Sequence, residues 1–277
     1  MRGIVLSAAF AALCVPGWAA DQAQAPAKKP DVNVEEIIQK FAAKEAEFQE
    51  ARNNYVYRQS VKMEELDSGG NPTGGKWELV EDVIFTPEGK RMEKVVYAPV
   101  VSLKNIGLSP EDERDLRDVQ PFVLTTKEIG EYNINYLGRE KIDEIGTYSF
   151  AVKPKKIVSG KRYFEGTIWV DDRDLQIVKT YGKGVGELHK GAAKNQAFPR
   201  FETYREQIDG KYWFPTYTHA DDVLHFTSPA PMDQRIRMTV RYTDYKKYEG
   251  KSTIKYGDVV EDGTKPTTAT PPPVKKK

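Results

Sequence analysis

Three histidines, His189, His219 and His225, are the first candidates in this chain for proton transfer or metal binding. His219 and His225 share parity on one extended run, but six strand residues at ~3.3 Å each set them roughly 20 Å apart. A single metal ion cannot bridge that gap unless the strand bends sharply. His219 is close to Asp221 in sequence, and a strand-borne His–Asp pair reads as a surface contact before it reads as an acid–base couple. Gly182-Lys183-Gly184-Val185-Gly186 has the composition of a phosphate loop. Such a loop needs a parallel strand before it and a helix N-terminus behind it. Here β-type sequence lies on both sides, so a flexible glycine-rich loop over 182–191 is expected. Gly250-Lys251-Ser252 matches only the end of a Walker pattern, because Tyr245 stands where the first glycine belongs. No Gly-x-Ser-x-Gly elbow and no His-Glu-x-x-His pair occurs. Asp171-Asp172 and Asp221-Asp222 fall in turn sequence and read as solvated acids. The sequence therefore names no catalytic residue, no metal ligand and no cofactor site.

The aromatic residues carry more information. They make up 11% of the chain. Trp77, Tyr132, Tyr136, Tyr148, Phe150, Phe164, Trp169, Trp213 and Tyr217 all fall in strand-like runs. They can form an ordinary core, or they can line an apolar hollow under a curved, incompletely closed sheet. The candidate lining is Phe164, Ile168, Val170, Trp77, Phe150 and Tyr217.

The stretch that must position these side chains is 163–181. Tyr163 to Val170 and Leu175 to Tyr181 are rich in β-branched and aromatic residues, and Asp171-Asp172-Arg173-Asp174 separates them. That is a hairpin with more than a two-residue loop. Strand periodicity places Phe164, Gly166, Ile168 and Val170 on one face and Tyr163, Glu165, Thr167 and Trp169 on the other.

The remaining elements follow in chain order. Val34, Ile37, Ile38, Phe41 and Phe48 recur at helical spacing, so 34–52 reads as an amphipathic helix. Asp31 or Asn33 caps it, and Lys40, Lys44, Glu45 and Glu47 form its polar face. A three-strand meander is expected next. Its strands hold Tyr55 to Glu64, then Trp77, Leu79, Val83 and Phe85, then Met92 to Tyr97. Ser109-Pro110-Glu111-Asp112-Glu113 opens a short, heavily charged helix to about Val119, placed at the surface or at the mouth of the fold. Thr125 to Ile129 reads as a further helical turn. From Glu131 the strands return. Asp209-Gly210 has the composition of a two-residue type I′ turn, and Tyr212 to Phe226 is the answering strand. Ile236, Met238, Val240 and Tyr242 alternate with Arg235, Arg237, Thr239 and Arg241, which gives one apolar and one basic face.

The ends of the chain read as processing and tail sequence. Arg2, the apolar run Ile4 to Val15 and the small-x-small patterns at Gly17-Trp18-Ala19 and Ala23-Gln24-Ala25 indicate a cleavable secretory signal over 1–19. A linker over 20–32 follows, then a folded domain over 33–248, then a Pro/Thr/Lys-rich tail over 249–277. Cys14, the single cysteine, leaves with the signal. The mature chain is then expected in the periplasm, without disulfides and without a membrane span. Lys and Arg together number 42 against 41 Asp and Glu, so nothing attracts nucleic acid or an anionic surface.

An amphipathic helix, a three-strand meander, short helices and a long second meander, in that order, resemble the LolA/LolB-like carriers and the N-terminal domain of RseB-type regulators. The likeness is carried by helix 34–52 running into Tyr55-Val56-Tyr57-Arg58-Gln59, by 148–154, and by Gly166 to Asp171 with Leu175-Gln176-Ile177-Val178. It looks most like the outer-membrane lipoprotein-sorting proteins. The resemblance implies a mostly β (α+β) fold: a single curved antiparallel meander forming an open half-barrel, covered by the N-terminal helix and short lid helices. It also implies a non-enzymatic carrier of lipid acyl chains or lipoproteins. The alternative is an envelope sensor or protein-interaction module, with an envelope protein as partner and Arg235, Arg237 and Arg241 as its docking face. A hydrolase without a legible motif is a third reading.

Overall fold

A computed structural model describes residues 32–86, 88, 90–108, 115, 116, 119–186, 199–226 and 231–248. The 1–19 segment read above as a signal, with Cys14, and His189, Gly250-Lys251-Ser252 and residues 249–277 lie outside the described residues. So do the linker up to 31 and most of the 109–119 helix.

Among the described residues, one long helix and ten strands are the main elements. They are α1 (Val34–Arg52), β1 (Tyr55–Leu66), β2 (Pro72–Phe85), β3 (Arg91–Tyr97), β4 (Tyr132–Ile142), β5 (Ile145–Pro154), β6 (Arg162–Asp171), β7 (Ile177–Gly186), β8 (Phe201–Gln207), β9 (Trp213–Phe226) and β10 (Met232–Lys247). All ten strands belong to one antiparallel sheet, in the order β3-β2-β1-β10-β9-β8-β7-β6-β5-β4. Two meanders are thus joined where the last strand pairs with the first, from Tyr55 opposite Lys247 to Leu66 opposite Arg235. β3 and β4 remain as edges, so the sheet is an open half-barrel. A short 3-10 turn, Ile129–Glu131, leads into β4. Among the described residues no helix is long and apolar enough to cross a membrane.

Period-two alternation decides which side chains face inward. One row crosses the sheet strand by strand: Tyr136, Phe150, Ile168, Thr180, Thr203, Thr218, Val240, Val61, Leu79, each opposite the next. α1 lies along this concave face. Phe41 meets Phe150 with ring centroids 5.4 Å apart, and Phe48 meets Phe214 edge-on at 5.3 Å. The segment 119–125 crosses the same face as a strap. Phe122 stacks on Phe164 at 4.6 Å, and the Gln120 amide donates to Met238 Sδ at 3.7 Å. In β10, Ile236, Met238, Val240 and Tyr242 are buried, as the alternation predicts.

Four local expectations need correction. Gly182 to Gly186 is not a loop but the end of β7, paired with β6 through Gly182–Gly166, Gly184–Phe164 and Gly186–Arg162. The glycines are needed because side chains of β6 and of Asp115 lie over this strand. A Cβ on Gly182 would sit 2.6 Å from the Phe164 ring, and one on Gly184 would sit 2.9 Å from Asp115 Oδ2. Secondly, the β8–β9 connection is longer than two residues. Gly210 takes φ 75 while Asp209 does not, and Asp209 Oδ1 instead accepts the Lys211 and Tyr212 N–H groups at 3.0 and 2.9 Å. The two-residue turn falls at Asp143-Glu144, where Asp143 takes φ 50; a short polar side chain tolerates that region. Thirdly, Asp171 is buried, its Oδ1 accepting the N–H groups of Arg173 and Asp174 at 2.7 and 2.6 Å. Fourthly, Glu45 does not stand on the polar face of α1; it is fully buried against the sheet.

Candidate functional site

The concave face is the candidate site, and Glu45 is its centre. Glu45 Oε1 accepts the Ile177 N–H at 2.9 Å, and Arg205 Nη1 donates to both Glu45 oxygens at 3.1 Å. A bulge at the start of β7 sets Ile177, not Val178, opposite Val170, and Glu45 takes up the Ile177 N–H. The Arg205 guanidinium also lies 4.9 Å over the Phe48 ring and donates through Nη2 to the Phe122 carbonyl. One ion pair therefore ties together α1, β7, β8 and the strap. Burial pushes the Glu45 carboxyl up against the pull of Arg205, and burial pulls the Arg205 guanidinium down. Desolvation thus outweighs the attraction for both partners, and removing either one leaves the other stranded.

The strap is held by its backbone. Three consecutive carbonyls accept hydrogen bonds from groups beneath it: Gln120 from Thr203 Oγ1 at 3.1 Å, Pro121 from Arg52 Nη1 at 3.4 Å, and Phe122 from Arg205. Ahead of it in the chain, Asp115 accepts a bidentate pair from Arg162 at 3.0 and 2.6 Å. The charged helix expected at the surface or at the mouth of the fold is buried in its described residues Asp115, Leu116 and Val119, which does not fit a surface position.

Beside the strap a cavity of about 460 Å³ opens between α1, the strap and both sheet edges. Phe122, Tyr132 and Phe164 line its greasy side, and Arg52, Arg91 and Glu93 its polar side. Burial, with Glu128 and Glu131 nearby, raises the Tyr132 phenol to about 12; its oxygen nonetheless accepts the Phe164 N–H at 3.3 Å.

Five of the six expected lining residues come together. Phe164, Ile168, Val170, Phe150 and Trp77 share the concave face, and all are buried. Tyr217 stands on the convex face, because Tyr204 and Arg241 are its cross-strand partners. There it belongs to an outward row in which Lys179 lies 5.0 Å over Trp169 and 4.9 Å over Tyr204, and Arg241 lies 5.2 Å over Tyr217. Sequence reasoning missed Glu45 and Arg52 because a charged residue next to a helical apolar stripe reads as solvated, and Thr203 and Arg205 because β8 by itself does not show what packs on its faces. The one available signal was that Glu45 lies four residues after Phe41 and three before Phe48, inside the stripe rather than opposite it.

The histidines do not converge. His219 stacks parallel on Tyr217 at 6.3 Å, and His225 pairs with Asp233 at 2.7 Å. Asp221 is taken by Arg235 and Arg237 at 2.8 and 3.1 Å. Among the described residues no cluster of three His, Cys, Asp or Glu could hold a metal.

No family model and no curated protein matches the sequence. Solved structures do. The chain is similar to a DUF1329 family protein from Desulfovibrio piger at 14% identity, with 76% of this chain and 92% of that one covered and a TM-score of 0.36. A LolA superfamily protein from Nitrosomonas europaea matches at 11% identity, covering 79% and 95%, with a TM-score of 0.32. An outer-membrane lipoprotein-sorting protein domain from Vibrio parahaemolyticus matches at 13% identity, covering 79% and 95%, with a TM-score of 0.33. Function is argued from the site.

Proposed function

We propose that this protein is a non-enzymatic carrier that binds lipid or lipoprotein acyl chains in the periplasm and serves outer-membrane lipoprotein sorting. The observation behind this reading is the nature of the cover over the concave face. Phe150, Phe164, Ile168 and Val170, all at 1% exposure or less, are covered by a helix and a strap, not by a second sheet. A strap held by three backbone carbonyls and an ion pair can leave while the sheet ladder stays intact. Each methylene of a chain that replaces it then gains ~0.8 kcal/mol. The proposed lining is Phe164, Ile168, Val170, Trp77 and Phe150; Tyr217 does not share that face.

The test is mass spectrometry of organic extracts from protein purified out of its native periplasm. Co-purified lipid or acylated peptide is expected. A protein that comes out empty, and stays empty when offered lipid vesicles, sinks the reading.

The outward row Trp169, Lys179, Tyr204, Tyr217 and Arg241 favours a second reading, a protein-interaction module. Aromatic and arginine side chains presented together are what interfaces enrich. A lipid-free protein recovered with one stoichiometric envelope partner, lost on Tyr217→Ala, would establish that reading instead.

A further inference from the structure

The open sheet ends in two edge strands, and they differ in what they show to solvent. β4 exposes a single large apolar side chain, Leu137, beside a bulge at Gly138 and the charged run Arg139-Glu140-Lys141. Bulges and charges keep a sheet edge from pairing with another chain. β3 is exposed at every residue after Arg91, and Met92, Val95, Val96 and Tyr97 among these are apolar. Its register with β2 shifts only at the far end, between Val95 and Tyr97. Half of the large apolar side chains exposed among the described residues fall within 92–101. An edge of this kind accepts an added strand: main-chain groups supply affinity and alternate side chains select the partner.

What the edge accepts follows from its surroundings. Arg91 and Glu93 of β3 also line the cavity beside the strap. The apolar stretch begins just beyond them, at Val95. A chain anchored in the cavity therefore meets β3 as it leaves. On the convex face Asp82 gives both oxygens to Arg58, at 2.7 and 3.0 Å. Lys94, opposite Asp82 on β3, brings a second cation to that one carboxylate. An acidic side chain on an added strand would match it, since opposite charges facing across a ladder stabilise the pair. A second copy of this chain fits less well. Lys94 is the midpoint of β3, so two copies in full antiparallel overlap would set lysine against lysine.

We propose that β3 is a docking edge for an extended, acidic stretch of polypeptide adjoining an acyl anchor held in the cavity, and that this stretch adds to the sheet as a further strand. The inference rests on the acyl-carrier reading and adds to it the part of the cargo that is not lipid. Recognition through the main chain accepts many sequences, and Lys94 supplies the preference for acid.

The probe is a diacylglyceryl-cysteinyl peptide of about eight residues, enough to span β3 at ~3.3 Å each, built of Ser and Thr with one central Glu. Two further forms are N-methylated on alternate backbone nitrogens, one in each frame. Alternate N–H groups of a strand point to opposite sides, so only one frame blocks pairing with β3. Full-length protein is titrated with each form by native mass spectrometry. The two frames are expected to differ about tenfold or more in affinity, in line with two net hydrogen bonds. Deuterium exchange over 91–97 is expected to slow with the unmethylated probe and not with dioleoylglycerol. Lys94→Glu is expected to reverse the charge preference, weakening the Glu probe about fivefold and favouring a probe with Lys in its place; a misfolded variant would lose both. Frames of equal affinity with 91–97 unprotected, while probe and dioleoylglycerol still bind, overturn the docking edge and leave the carrier standing. Failure to bind either the probe or dioleoylglycerol overturns both. A lipid-free dimer already protected over 91–97 gives the edge to a second copy and overturns the proposal. An unchanged charge preference in Lys94→Glu overturns the acidic assignment.

Discussion

Glu45 of α1 and Arg205 of β8 meet 3.1 Å apart beneath the helix, with neither side chain more than 1% exposed. The pair is 160 residues apart in sequence, and it fixes the helix, the strap and two strands at one point. Arg205→Met is expected to destabilise the fold by ~3–5 kcal/mol, because the Glu45 carboxylate is then buried without a counter-charge. The Glu45→Leu/Arg205→Met double variant should be clearly more stable than either single one. Urea unfolding of the four proteins measures the coupling, and additive losses would contradict it.

Glu45 also gives a pH dependence of definite sign. Its carboxyl is raised above the ordinary value of 4.5 by burial. The stability that comes from holding its proton is therefore full below pH 4.5 and is lost as pH rises through the folded value. Tyr55 behaves in the same sense at the alkaline end. Burial and the hydrogen bond its hydroxyl donates to Asp209 at 2.7 Å raise it from 10.0 to about 12. Partial burial opposes ionisation of Asp209, yet the Tyr55 hydroxyl and the Tyr212 and Lys211 N–H groups hold its carboxyl below the usual range. Stability from the neutral Tyr55 phenol is full below pH 10 and gone once pH passes about 12. Unfolding free energies between pH 9 and 12 should fall more steeply in wild type than in Tyr55→Phe; equal slopes would refute the assignment.

The glycines of β7 yield a third expectation. Gly182→Ala drives a methyl into the Phe164 ring and the Glu165 carbonyl, and overpacking of that kind costs ~1–3 kcal/mol. Gly107→Ala meets nothing within 4 Å and requires no positive φ, so it should stay within about 0.5 kcal/mol of wild type. Thermal melts of the two variants decide between close packing and mere glycine content. A Gly182→Ala protein as stable as wild type would mean that Phe164 does not lie over this strand.

Most strands were legible from the residues alone, because alternation along β1, β6 and β10 sorts side chains to two faces whatever the strand's neighbours are. That Phe164, Ile168 and Val170 share one face followed from that parity; that this face is the concave one did not. Nor did the place of Tyr217, because the sequence says that two strands each have two faces but not which face of one continues which face of the other. Only pairing decides that, and β8 and β10 carry Tyr217 outward.

What the sequence determined by itself is local: element type, the amphipathic helix, the alternation of each strand, and the absence of any motif for catalysis. Those properties depend on neighbours a few residues apart. The tertiary structure decided everything that depends on distant ones: that β10 returns to pair with β1, that Glu45 is turned into the sheet to meet Arg205, and that a glycine run is strand rather than loop because Phe164 and Asp115 need its space. A carboxylate on a helix and a guanidinium on a strand look solvated until the chain closes over both. Closure is a cooperative property of the whole sheet, carried by no single stretch of residues.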